Sequence, residues 1–179
     1  MLLDSITIQK HFERFEGRSA HMYLCAADRV TVGIGHVLPA VDDAKKLTFR
    51  GASAESIAAE WRRVAEMSPG RLAQFYRRTG QPLMHDGEIT RLFWADIEAF
   101  RAALRTIVKD YDTLPATVQL ALLDMIYTLG PSGLAQYKRM LGFLRARNWK
   151  AAAAECKRAG IPERGDRHKT VRLLLESPR

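Results

Sequence analysis

Apolar residues recur at helical spacing in several stretches of the chain and alternate at strand spacing in one. In "DSITIQKHFERFE", Ile6, Ile8, His11, Phe12 and Phe15 fall close to the 3.6-residue period, Asp4 or Ser5 can cap the start, and Gly17 stops the run. "AHMYLCA" and "VTVGIG" are short and β-branched or aromatic, and "ADR" between them predicts a two-strand hairpin. From Val37 to about Ser53 the chain reads as loop, with Pro39, Asp42, Asp43 and Gly51. A helix follows in "SAESIAAEWRRVAEM", capped by Ser53, and "RLAQFYRR" reads as a shorter amphipathic piece.

The strongest period belongs to "DGEITRLFWADIEAFRAALRTIV", where Ile89, Leu92, Phe93, Ile97, Phe100, Leu104 and Ile107 share one face. "ATVQLALLDMIYTLG" is apolar nearly all round, as in a helix at the centre of a helical core. Three more helical pieces, punctuated by Gly, Asn and Pro, complete the chain. The pattern predicts an α+β fold. A small mixed α/β amino-terminal lobe with a β-hairpin spans residues 1–96, and the long helix leads into an all-helical lobe over 97–179.

Charge sharpens the contrast between the halves. The 179 residues carry a net charge of +8, with 13 Lys and Arg against 12 Asp and Glu in residues 1–96, and 15 against 8 in 97–179. Such a surface suits an anionic polymer, whether nucleic acid, a membrane surface or bacterial cell wall, and equally suits mere solubility. No basic helix with a recognition pattern and no aromatic RNA-binding motif supports nucleic acid. No apolar run is long enough to insert in a membrane, and the opening residues lack the layout of a signal peptide. Cys25 and Cys156 are too few for a disulfide framework and read as free, and the scattered histidines show no metal-ligand spacing.

The candidate chemistry lies in "FEGRSAHMYLCAADRVTVGIGH", which sets Glu16, Cys25 and Thr31 ahead of a glycine turn. Glycoside cleavage needs an acid for the leaving oxygen and, when configuration inverts, a group on the far side that holds water. On spacing alone each residue also has an ordinary reading. Glu16 fits a surface carboxylate at a helix end, Cys25 a small strand hydrophobe, and Thr31 a common strand residue.

The motif, Glu16, eight residues, Cys25, five residues, Thr31, then Gly33-Ile34-Gly35-His36, resembles the signature of the phage T4-type lysozymes. "LFWADI", "LLDMIYTLGPSGLAQYKRML", "ARNWKAAA" and "RGDRHKTVRLL" extend the resemblance over most of the chain. It implies a cofactor-free, metal-free muramidase that inverts configuration at the β-1,4 bond between N-acetylmuramic acid and N-acetylglucosamine of bacterial peptidoglycan, in a cleft between two lobes. The family's general acid falls on Glu16. Its second catalytic residue, aspartate or cysteine, falls on Cys25, and its water-positioning threonine on Thr31. Val37, Tyr127 and Met140 match cleft positions for substrate. Arg167 matches an arginine near the catalytic glutamate, and His36 and Asp96 match a structural ion pair.

The chain departs from the compact phage enzymes in an enlarged helical insertion at about 38–85. That enlargement is compatible with a secreted antibacterial effector, for which an immunity protein would be the partner. A monomer acting at the cell wall or periplasm is expected, delivered by a holin or a secretion system. A non-catalytic wall-binding or partner-binding protein of the same fold is the alternative.

Overall fold

A computed structural model describes residues 3–179 of the chain. The first helix, α1 (Ser5–Glu16), starts on Asp4, whose carboxylate accepts the Thr7 N–H at 2.8 Å and the Thr7 hydroxyl at 2.7 Å. Ile8 and Phe12 are buried on its inner face, whereas Ile6 points outward. Gly17 takes φ +71°, a left-handed conformation that ends the helix directly after Glu16.

Strand β1 (Ser19–Leu24) pairs antiparallel with β2 (Val30–Gly33), with Tyr23 opposite Thr31 and Leu24 opposite Val30. The turn between them closes through Cys25 N–H to the Arg29 carbonyl and Asp28 N–H to the Cys25 carbonyl, both at 3.0 Å. The expected two-strand hairpin has a third member, β3 (His36–Val37), which pairs with β2 so that Val37 faces Thr31 and His36 faces Val32. Gly33 and Gly35, at φ +68° and +75°, make that reversal.

The stretch expected as loop after Val37 contains a short helix, α2 (Val41–Lys45), which buries only Ala44 and is braced by Asp42–Lys45 and Asp43–Lys46 pairs at 2.9 Å. Helix α3 (Ala54–Ala65) starts on Ser53, whose Oγ accepts the Ser56 N–H at 3.3 Å. Its Glu60 is fully buried, and burial alone would raise its carboxyl; hydrogen bonds from Arg63 and Arg78 outweigh that and hold it below the ordinary value. "RLAQFYRR" forms a single 3-10 turn, Ala73–Tyr76, in place of a longer amphipathic piece. The chain then returns to the sheet, with Met84 N–H donating to the Ala20 carbonyl at 2.8 Å.

Helix α4 (Asp86–Ile107) carries the long apolar stripe, with Ile89, Leu92, Phe93, Ile97 and Leu104 buried. Arg18 secures its start by donating to Asp86 Oδ1 at 2.7 Å, the Asp86 carbonyl at 2.9 Å and the Thr90 hydroxyl at 2.7 Å. Arg18 also pairs with Glu13 at 2.9 Å, tying the end of α1 to the sheet. Helix α5 (Ala116–Ala135) is buried without interruption from Val118 to Ile126, and Gly130 (φ 69°, ψ 171°) breaks its helical path. Of the helices that follow, α6 (Lys138–Arg145), α7 (Trp149–Ala154) and α8 (Asp166–Glu176), α8 packs against α5, and α7 packs against both α6 and α8.

The fold is α+β, with eight α-helices and one three-stranded antiparallel sheet among the described residues. Two compact units result. One is Phe12–Asp96; the other joins Ile97–Arg179 to the start of the chain up to His11, so the division falls within α1 and within α4. No helix of the described residues is long and apolar enough to cross a membrane.

Candidate active site

The register of the sheet sorts its side chains. Met22, Leu24, Val30 and Val32 enter the core of the Phe12–Asp96 unit. Tyr23, Thr31 and Val37 stand in one row across the three strands, with Thr31 buried, and Cys25 follows directly after β1. The Thr31 hydroxyl donates to the Arg29 carbonyl at 2.9 Å, and the same carbonyl receives the Cys25 N–H at 3.0 Å. One peptide oxygen in the hairpin turn thus holds both residues.

Glu16 is half-buried at the end of α1. Burial pushes the Tyr23 hydroxyl well above the ordinary phenol value, and Glu16 and Cys25 nearby push in the same direction. Cys25 and Thr31 thus share one turn of the hairpin, and Glu16 ends the helix that leads into β1. A carboxyl can hand over a proton, and a sulfur and a hydroxyl anchored to one turn can hold a water molecule.

His36 Nδ1 and Asp96 Oδ2 lie 2.8 Å apart and join β3 to α4, each side chain about one-quarter exposed. Val37 lies beside Thr31 on β3 and is half-buried. In the helical unit, the Tyr127 ring packs 5.3 Å from that of Phe100. Met140, matched to a cleft position by resemblance, is fully buried in the helical unit. It lies among the residues around a cavity of about 440 Å³ with Tyr137 and Glu155.

Arg167 donates through Nε to both oxygens of Asp124, at 3.1 and 3.2 Å. Asp124 is the centre of a cluster that sequence reasoning missed. His11 Nε2 lies 2.7 Å from its Oδ2, and Arg158, itself 1% exposed, donates to its Oδ1 at 2.5 Å. Burial raises the Asp124 carboxyl, but the His11 hydrogen bond and the Arg167 and Arg158 charges prevail and hold it down to about 2. The available signal was a lone carboxylate in the apolar run "LALLDMIYTLG", which demands partners when buried. Among the described residues no group of three or more His, Cys, Asp or Glu is placed to hold a metal ion.

A small antiparallel sheet with a carboxyl-bearing helix end, followed by a helical unit built around one buried helix, is consistent with a lysozyme-like α+β fold. A family model described as Phage lysozyme matches residues 13–163. The chain belongs to that family, whose activity is of the lysozyme type on cell-wall peptidoglycan. The matched span includes Glu16, Cys25, Thr31, His36 and Asp96 and ends before Arg167. No curated protein matches the chain.

Proposed function

We propose that the protein is an inverting muramidase acting on the β-1,4 bond between N-acetylmuramic acid and N-acetylglucosamine. Glu16 gives its proton to the glycosidic oxygen as the bond to C1 breaks. A water molecule held by the Cys25 sulfur and the Thr31 hydroxyl adds to C1 from the opposite face and releases its surplus proton to bulk water, from which Glu16 is reprotonated, so configuration inverts and no sugar–enzyme adduct forms. Val37 contacts sugar, and the His36–Asp96 pair supports β3. The observation that supports this reading is the Phage lysozyme match over residues 13–163, which spans Glu16, Cys25 and Thr31, together with the single hairpin turn that anchors Cys25 and Thr31. The charge excess of residues 97–179 suits the anionic wall, and also an acidic-faced immunity protein where a secretion system delivers the enzyme.

The test is digestion of purified peptidoglycan with mass analysis of the soluble fragments. Reducing-end N-acetylmuramic acid is expected from the native protein, and Glu16→Gln should abolish its release while leaving the fold intact. Near-full activity in Glu16→Gln would remove the acid assignment. Anhydro ends would indicate a lytic transglycosylase and freed peptides an amidase, whereas wall binding without cleavage would indicate a non-catalytic module.

A further inference from the structure

Between Glu66 and Asp86 the chain has no carboxylate and three arginines, Arg71, Arg77 and Arg78. This stretch is firmly tied. The buried Tyr76 donates its hydroxyl to the Ser68 carbonyl at 2.7 Å, Arg63 donates to the Tyr76 carbonyl at 2.6 Å, and His21 Nε2 on β1 lies 2.7 Å from the Ala73 carbonyl. It also lies against the hairpin turn, since a Cβ on Gly70 would be 3.8 Å from the Cα of Ala26, the residue after Cys25.

A loop held at so many points still turns Leu72 and Phe75 outward, 74% and 52% exposed, with the Arg71 guanidinium 5.7 Å from the Phe75 ring centroid. Ordered, exposed apolar side chains of this kind mark contact surfaces. The residues that follow, from Arg77 to Leu83, line a cavity of about 540 Å³. Arg78 is engaged by Glu60 at 2.8 Å, while neither Arg71 nor Arg77 has a carboxylate partner among the described residues. Gln81, only 7% exposed, accepts the Arg78 N–H through Oε1 at 2.6 Å, which fixes its amide orientation. Its Nε2 is left without a partner among the described residues.

We propose that residues 69–83 form an accessory subsite for the carboxylate-bearing peptide stems of peptidoglycan, a reading that rests on the wall polymer being the substrate. The stems carry carboxylates that a planar guanidinium grips through paired hydrogen bonds, and the cavity is of the size that holds a short peptide. Phe75 with Arg71 above it offers an apolar platform beside that charge. An anionic membrane would also attract arginines and exposed apolar groups, but a concave site with a buried amide suits a discrete carboxylate group better than a flat lipid surface.

The experiment measures affinity in the Glu16→Gln protein for soluble glycan oligomers with tetrapeptide stems and for the same oligomers stripped of peptide. The expected preference for stems is about tenfold, the scale of one charge-assisted hydrogen bond. Arg71→Ala with Arg77→Ala should reduce it to roughly threefold or less. Arg77→Glu should do the same, and an unchanged thermal midpoint in each variant would show that the fold is kept. Equal affinity for both oligomers at the outset, no measurable binding to either, or a preference that survives the substitutions would overturn the proposal. So would loss of binding to anionic phospholipid vesicles with the stem preference intact, which would assign the surface to membranes. Fragment release by Glu16→Gln in these samples would refute the catalytic assignment alone and leave the stem preference readable.

Discussion

Replacing Asp124 by asparagine keeps the shape of the side chain and removes the negative charge that it presents to His11, Arg158 and Arg167. Its carboxyl is held at about 2, against an ordinary 3.8. That difference corresponds to a stabilisation on the order of 2–3 kcal/mol. The folded value is the lower one, so this stabilisation is full above the unfolded value and is lost as pH falls from about 4 through about 2. At neutral pH the substitution also leaves the buried Arg158 without its counter-charge, and breaking a buried pair in this way costs roughly 3–5 kcal/mol. The two figures describe overlapping contributions and are not summed.

For a chain of this size such a loss lowers the thermal midpoint by about 6–20 °C. Urea unfolding of wild type and Asp124→Asn at pH 7 measures it directly. Repeating the series down to pH 2 should show the acid loss in wild type and a flatter limb in the variant. Arg158→Met should cost less than Asp124→Asn, because Asp124 then keeps His11 and Arg167. A cost below about 1 kcal/mol for Asp124→Asn, or identical acid limbs, would refute the reasoning.

At Cys25 the effects should be graded: Cys25→Ala loses most wall-clearing activity in a turbidity assay, Cys25→Asp retains much of it, and equal rates in all three proteins would return the thiol to packing. Gly33→Ala should cost about 1 kcal/mol in urea unfolding, because φ is +68° while the added Cβ meets Ile89 only at an ordinary 3.5 Å. A double-mutant cycle of His36→Gln and Asp96→Asn should give a coupling of about 0.5–1 kcal/mol at pH 6, and strict additivity would show that the 2.8 Å contact contributes no pair energy.

Much of the architecture is legible in the chain because local and long-range demands agree there. The stripe from Ile89 to Leu104 is buried along α4, Ser53 caps α3, and Gly17 ends α1. α2 escaped notice because five residues that bury one alanine produce no period. β3 escaped because two residues become a strand only through pairing with Thr31 and Val32. "RLAQFYRR" has helical composition, yet the burial of Tyr76 and its bond to Ser68 confine it to one turn. The candidate site follows the same logic. The spacing from Cys25 to Thr31 becomes a hairpin turn, which sequence can show, whereas His11, Arg158 and Arg167 meet Asp124 from 113, 34 and 43 positions away.

The two thiols give the protein a built-in chemical clock. Cys25 is partly open to solvent, whereas Cys156 is completely enclosed and its burial pushes the thiol up, away from the reactive thiolate. A maleimide reagent therefore counts one sulfur on the native chain and two on the unfolded one. The rate at which the second is labelled times the opening of the helices around Cys156, with no reporter group added.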